Sequence, residues 1–278
     1  MVIALDIGAS KIRIAEVSKT NIKNKIELEN PRNQEKIKLI LVKFISLYLE
    51  KIKTKEICVG IAGMQVNGFI KNSPNMNLHN FNLKKFLQEK FKIKVFVEND
   101  ARCAGLGEKY FGCGKEKKDF FLLTLGTGIG GALFVNGDSY SGKGIGFEPG
   151  HMLVNGKELE KIASGKASEK IAGKYGFRNI NSFKLEELAK NGNKKAISVY
   201  KEIGKNLGIG LLNLSYVFDP EIIILAGGFA KVKFFWPAML EFLHKNDLAK
   251  RNIKVVHAKL GDDAGLVGAG LLSSLKSY

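Results

Sequence analysis

Four short stretches carry residue types that can do chemistry. Val95-Phe-Val-Glu-Asn-Asp100 ends an apolar run on an amide and a carboxylate. A carboxylate at such a strand end can take a proton from a substrate hydroxyl, and the Asn99 amide can both donate to and accept from hydroxyls. The plainer reading, Asp100 as N-cap of a helix over 101–111, stays open on these residues alone. Leu125-Gly-Thr-Gly-Ile-Gly-Gly131 is a glycine-rich turn between two apolar runs. Its backbone can approach an oxyanion closely, and the Thr127 hydroxyl adds a donor. It lacks the Gly-Lys-Ser/Thr ending of a Walker loop, and a strand rather than a helix follows, unlike a dinucleotide fingerprint. Gly146-Phe-Glu-Pro-Gly-His151 places Glu148 and His151 three residues apart in a Gly/Pro loop, where both can bind vicinal hydroxyls. Asp6-Ile-Gly-Ala-Ser-Lys11 ends a strand beside a turn whose N–H groups can face phosphate. Asp6 suits Mg²⁺, directly or through water, and Lys11 adds positive charge. A base, a phosphate cradle and hydroxyl-binding groups are what phosphoryl transfer to a polyol needs.

Two further elements are weaker. Leu225-Ala-Gly-Gly-Phe-Ala230 is a buried-type strand ending in Gly227-Gly228, which lets the backbone approach a flat ligand. It is equally an ordinary strand-to-helix turn. Glu160 reads by position as a helix-surface acid.

The elements that must position these groups follow from periodicity. Strands are expected at 2–7 and 12–17 around Gly-Ala-Ser, and a third at 26–29. Ile37, Ile40, Leu41, Phe44, Ile45, Tyr48 and Ile52 predict an amphipathic helix over 34–52. A strand at 57–62, a helix near 83–91, a strand at 94–98 and a helix at 101–111 come next. Strands at 119–125 and 131–135 flank the second glycine turn. Helices are expected at about 158–175, 184–190 and 194–217. A strand at 222–226, a helix at 235–245, a strand at 253–260 and a helix at 264–276 close the chain. Strand, glycine turn, strand occurs near residue 8 and again near residue 128, which suggests a duplicated α/β fold with mixed sheets.

At 278 residues the chain is long enough for two lobes and a sizeable core. The net charge is +17, yet lysine dominates the 44 basic residues, arginines number five, and no basic run exceeds two. A solvated lysine surface is therefore expected rather than base readout of nucleic acid. An anionic substrate would still benefit from the field. No apolar run approaches the ~20 residues of a bilayer span, and Met1-Val-Ile-Ala-Leu-Asp6 reads as a strand rather than a targeting segment. A cytoplasmic protein without membrane partners is expected. Cys58, Cys103 and Cys113 are odd in number and lack metal-ligand spacing.

Taken in order, these stretches resemble the ROK family of sugar kinases and repressors, within the hexokinase/actin/Hsp70 superfamily. The resemblance rests on Val97-Glu-Asn-Asp-Ala101 through Glu108, Phe111-Gly, Leu125–Gly131, Asn136-Gly, Gly146–His151, Leu159-Glu160, Ser164-Gly165 and Asp219-Pro220. It implies a two-lobed actin-like ATPase (ribonuclease H-like) fold with duplicated mixed sheets flanked by helices. The implied lobes are 1–112 with 264–278, and 113–263, closing on a cleft. It further implies Asp100 as catalytic base, and Asn99, Glu148, His151 and Glu160 as sugar ligands with Gly63 near the sugar. Asp6, Gly8 and Lys11 would form one phosphate element, Gly126, Thr127 and Gly128 the second, and Gly227 and Gly228 would lie near adenosine. ATP and Mg²⁺ are the implied cofactors and a homodimer the family expectation.

Three departures stand out. The family's Asp-x-Gly-Gly-Thr-Lys is here Asp6-Ile-Gly-Ala-Ser-Lys11, and its Pro-Gly is Ala62-Gly63. Many members carry a cysteine-rich zinc loop after the histidine. Here Met152-Leu-Val-Asn-Gly-Lys-Glu-Leu-Glu160 is shorter and has no cysteine. No zinc site is expected, His151 is expected to serve as a sugar ligand only, and some other device must order the loop. The implied activity is ATP-dependent phosphorylation of a hexose, glucose at its 6-hydroxyl being the first choice. The alternatives are an N-acetylmannosamine or N-acetylglucosamine kinase, another phosphoryl donor such as polyphosphate, and a regulatory ATPase that binds no sugar. A sugar-responsive repressor needs a helix-turn-helix ahead of Asp6, where five residues stand, and is not expected.

Overall fold

A computed structural model describes residues 1–275. Its elements run β1 (Val2–Ile7), β2 (Lys11–Ser18), β3 (Asn21–Glu29), α1 (Gln34–Lys51), β4 (Glu56–Ile61), β5 (Met64–Val66), β6 (Phe69–Ser73), β7 (Leu78–Asn82), α2 (Leu83–Phe91), β8 (Lys94–Asn99) and α3 (Asp100–Phe111). There follow β9 (Phe120–Leu125), β10 (Ile129–Val135), β11 (Asp138–Tyr140), β12 (Leu153–Val154), β13 (Lys157–Glu158), α4 (Glu160–Ala163), α5 (Gly165–Lys174), α6 (Ser182–Lys190) and α7 (Lys194–Phe218). The chain ends with β14 (Ile222–Ala226), α8 (Trp236–Asn246), β15 (Val255–His257) and α9 (Ala264–Leu271).

The chain forms two compact units: residues 1–116 with 139–147 and the segment from 262, and residues 117–138 with 148–261. In the first, a sheet runs β3-β2-β1-β4-β8. β1 pairs antiparallel with β2 and parallel with β4, and β4 pairs parallel with β8. All six residues of β1 are buried, as a strand covered on both faces should be. Ile37, Leu41, Ile45 and Tyr48 of α1 join its core. The second unit repeats the pattern, with β10-β9-β14-β15 in order and the short β11 at the β10 edge. β9 pairs antiparallel with β10 and parallel with β14, and β14 pairs parallel with β15. The duplication is thus topological. Its origin is a tight turn after the first strand of each unit, which forces an antiparallel partner before any helical crossover becomes possible.

Several boundaries differ from the sequence expectations. A three-stranded sheet, β5-β6-β7, follows β4 where no element was expected. β3 is longer than its predicted 26–29. The helix expected over 158–175 is two helices, because Ser164 is extended and its Oγ accepts the Ala167 N–H at 3.2 Å, restarting the chain as α5. The strand expected over 253–260 is only Val255–His257. The last helix ends at Leu271 in a 3-10 turn, Leu272–Ser274, and the remainder of its predicted span, residue 276, lies outside the described residues. Residues 139–147, assigned by sequence to the larger half, pack with the first unit. Arg102 Nη2 donates to the Gly144 carbonyl at 2.7 Å, and Gly144 lies against Val66. Among the described residues no helix is long and apolar enough to cross a membrane.

Candidate active site

In the first unit, β8 ends at Asn99 and α3 starts at Asp100. Asn99 rather than Asp100 is the N-cap. Its Oδ1 accepts the N–H groups of Ala101 and Arg102 at 2.9 and 3.1 Å. Asp100 occupies the first helical position, with Oδ1 accepting the Ala101 N–H at 2.9 Å. The positive end of α3 favours a negative charge there. Asn99 Nδ2 donates to the Gly63 carbonyl at 3.4 Å, so the structure joins two residues that the sequence places 36 apart.

Beneath this corner lies a buried polar network. Glu98 Oε1 accepts the Asn99 N–H at 2.6 Å, Gln65 Nε2 at 2.9 Å and Arg102 Nε at 2.8 Å. Neither Glu98 nor Arg102 was singled out from the sequence. Their i, i+4 spacing at a strand-to-helix junction was the available signal.

Asp6 lies one residue before the end of β1, opposite Arg13 of β2, and Arg13 Nη1 donates to its Oδ2 at 3.0 Å. Burial raises the Asp6 pKa, with Arg13 opposing it. Gly265 of α9 sits against the carboxylate. The Gly8 N–H is committed to the Lys11 carbonyl at 2.9 Å. The Lys11 ammonium pairs with Glu27, so its charge is partly neutralised within the sheet.

In the second unit, Gly126-Thr127-Gly128 joins β9 to β10. The Gly126 N–H donates to the Gly128 carbonyl at 3.0 Å, and the Gly126 carbonyl accepts the Gly165 N–H of α5 at 2.8 Å. The turn is therefore clamped from both sides. After it, Glu148 precedes a 3-10 turn, Pro149–His151, and its carbonyl accepts the His151 N–H at 3.1 Å. Glu160 opens α4, and its Oε2 accepts the Ile129 N–H at 3.4 Å.

The loop that lacks cysteines is ordered by a two-residue hairpin. β12 and β13 pair Leu153 with Glu158 and Val154 with Lys157. Asn155 and Gly156 between them have φ of 50° and 72°. Positive φ at both positions is the demand of a type I′ turn, which Asn-Gly meets. Val154 and Leu159 are buried on either side. The hairpin brings Glu158 to His151, with Oε2 3.7 Å from Nδ1. Polar atoms of His151, Glu158 and Glu160 all lie within 4.8 Å of one another. The sequence reading thus placed His151 and Glu160 together but missed Glu158.

Gly227 follows β14 with φ of 89°, and a Cβ there would stand 2.4 Å from the Leu125 carbonyl oxygen. Beside it is a cavity of about 300 Å³ lined among others by Gly227, Ala230, Lys231, Lys233 and His257. Trp236 and His257 have ring centroids 4.0 Å apart. Burial lowers the His257 pKa, favouring a neutral imidazole. Gly228 follows, with its carbonyl accepting the Lys231 N–H at 3.3 Å. The two lysines, Trp236 and His257 were not anticipated.

The chain matches the ROK family over residues 2–275. A glucokinase of Halalkalibacterium halodurans is 29% identical over 319 residues, covering 97% of this chain and 94% of that protein. A xylose repressor of Caldicellulosiruptor bescii is 25% identical over 322 residues, covering 100% of this chain and 79% of the repressor. The crystal structure of a ROK family glucokinase from Streptomyces griseus in complex with glucose and AMPPNP aligns with a TM-score of 0.88 at 25% identity, covering 99% of both chains. The mixed α/β architecture is accordingly the actin-like ATPase fold, and the chain belongs to the ROK family.

Proposed function

We propose that this chain is an ATP-dependent sugar kinase that phosphorylates a hexose, with glucose at its 6-hydroxyl as the first-choice substrate. The observation that carries the reading is the division of labour at the start of α3. Asn99 takes the capping task and reaches the Gly63 carbonyl, and Asp100 follows it at the helix's first position. In this reading Asp100 accepts the hydroxyl proton as the oxygen attacks the terminal phosphorus in line. Asn99, Glu148, His151 and Glu160 bind the other hydroxyls. A site built to bond a hydroxyl leaves polar groups unpaired when that hydroxyl is missing or inverted, which is the source of discrimination.

The Gly8–Lys11 and Gly126–Gly128 turns present backbone N–H groups to phosphate, with the Gly126 and Gly8 N–H groups themselves committed inside their turns. Gly227, Gly228 and the cavity beside them take the nucleotide base. Asp6 fits Mg²⁺ through water, since one of its oxygens already accepts from Arg13 and Mg²⁺ readily keeps several waters. The ion would neutralise phosphate charge.

Similarity to a xylose repressor supports a second reading, a protein that binds sugar without transferring phosphate. The deciding experiment is coupled ADP release with Mg-ATP across glucose, mannose, fructose, N-acetylglucosamine and N-acetylmannosamine. Turnover stimulated by one preferred sugar supports the kinase and names its substrate. Sugar binding without turnover contradicts it.

A further inference from the structure

His151 is half exposed, and its Nδ1 faces the Glu158 carboxylate at 3.7 Å. The same Glu158 oxygen takes the Lys161 ammonium at 2.9 Å. Glu158 is fixed from the backbone side by its pairing with Leu153. The next residue, Leu159, is fully buried and its N–H donates to the Met152 carbonyl at 2.9 Å. His151 is fixed in turn by its own N–H on Glu148. Two short rigid turns therefore hold an imidazole and a carboxylate face to face.

Together with Glu160 this cluster has the residue types of a metal site, but one of its two carboxylates already has a cation. Lys161 already supplies a cation to the Glu158 oxygen nearest His151. Lys161 first, and His151 after it, hold the Glu158 carboxyl below its ordinary pKa, so it is an anion at neutral pH. An anionic acceptor at Nδ1 selects the tautomer that carries its proton on Nδ1. Nε2 is then an acceptor.

We propose that Glu158 is a positioning residue for substrate recognition: it holds His151 in the Nδ1–H tautomer, so that Nε2 accepts a hydrogen bond from a sugar hydroxyl. The inference rests on the kinase reading for its substrate and on this cluster for its geometry. Lys161 completes the device by holding the carboxylate in place. The arrangement makes His151 selective for a hydroxyl donor at its position, since a ligand offering only an acceptor there meets another acceptor.

The test has a spectroscopic arm and a kinetic arm. Nitrogen-15 NMR of histidine-labelled protein at about pH 8, where an ordinary imidazole is neutral, reads the tautomer, with His151→Gln assigning the signal. The expected result is an Nδ1–H imidazole in the wild type, in Glu158→Gln, whose carbonyl still accepts, and after EDTA. Glu158→Ala is expected to move His151 toward the Nε2–H form. In steady state, Glu158→Ala should raise the sugar KM about tenfold, the scale of one lost hydrogen bond between His151 and the sugar, with a smaller change in kcat, and Glu158→Gln should restore most of it. A tautomer indifferent to Glu158→Ala overturns the proposal. So does one that changes with EDTA and returns with zinc, because a metal would then hold the ring. A wild type that turns over no sugar sinks the kinase reading alone, and the tautomer still decides the Glu158–His151 relationship.

Discussion

Glu98 and Arg102 form a buried ion pair across the junction of β8 and α3, at 2.7 Å, with side chains only 6% and 5% exposed. The pair straddles Asn99 and Asp100. Glu98 also receives the Asn99 N–H, and Arg102 reaches the Gly144 carbonyl. The corner presenting the proposed base is thereby braced from below. Removing one member leaves an unpaired buried charge, which typically costs about 3–5 kcal/mol. Arg102→Ala is expected to lower stability by an amount in that range, read from urea unfolding. Glu98→Gln with Arg102→Met should cost less than Arg102→Ala alone. An Arg102→Ala protein as stable as wild type would show that the pair is not braced as described.

Gly227 tests the nucleotide side. Its φ of 89° and the Leu125 carbonyl 2.4 Å from a built Cβ leave no room for a side chain. Gly227→Ala should cost about 1–3 kcal/mol of stability through backbone strain. It should weaken ATP binding while sugar binding persists. Calorimetric titration of each ligand checks this, and unchanged ATP affinity would move the base away from this turn.

The Asn155-Gly156 turn can be probed without touching any packed neighbour, since nothing lies within 4 Å of a Cβ at Gly156. Gly156→Val therefore isolates backbone strain, expected to be about 1–2 kcal/mol for a side chain forced to positive φ. If the hairpin carries Glu158 to His151, the same variant should raise the sugar KM. Strain without a KM change would separate the turn from recognition.

Much of this architecture is legible in the sequence, and the misses have physical causes. The hairpins at residues 8 and 128 announce themselves because glycine turns interrupt long apolar runs. The β5-β6 hairpin was missed although Asn67-Gly68 carries the same turn signal as Asn155-Gly156, both with positive φ at each residue. Its strands are only three and five residues long, and the middle residue of the first is a buried glutamine, so period-two alternation is too short to register. The α4–α5 break hides because apolar spacing runs through Ser164. The capping of α3 by Asn99 rather than Asp100 could not be chosen in advance, since both residue types cap well. His257 approaches Gly227 only through the pairing of β14 with β15, which no local spacing encodes, whereas Lys231 and Lys233 follow Gly227 in local turns that carry no motif.

Glu27 links charge to acid stability. Hydrogen bonds from Lys11 and then Arg13 lower its pKa from 4.5 to about 2. A carboxyl depressed in the folded state adds stability above its unfolded pKa and loses it as pH falls through the folded value. The urea midpoint of wild type should therefore exceed that of Glu27→Gln at neutral pH. The gap should shrink below about pH 4.5 and close near pH 2. Glu27 is partly exposed, so the gap should also narrow in high salt. A gap that widens on acidification would contradict the assignment.

The most direct test of the central claim is to compare Asp100→Asn with wild type in two assays, sugar binding by calorimetry and sugar-stimulated ADP release. A general base contributes typically about 10²–10⁴ in rate. The account predicts that turnover falls by about that factor while sugar affinity stays within a few-fold of wild type. Loss of binding and turnover in equal measure would contradict it, making Asp100 a ligand or a structural residue rather than the base.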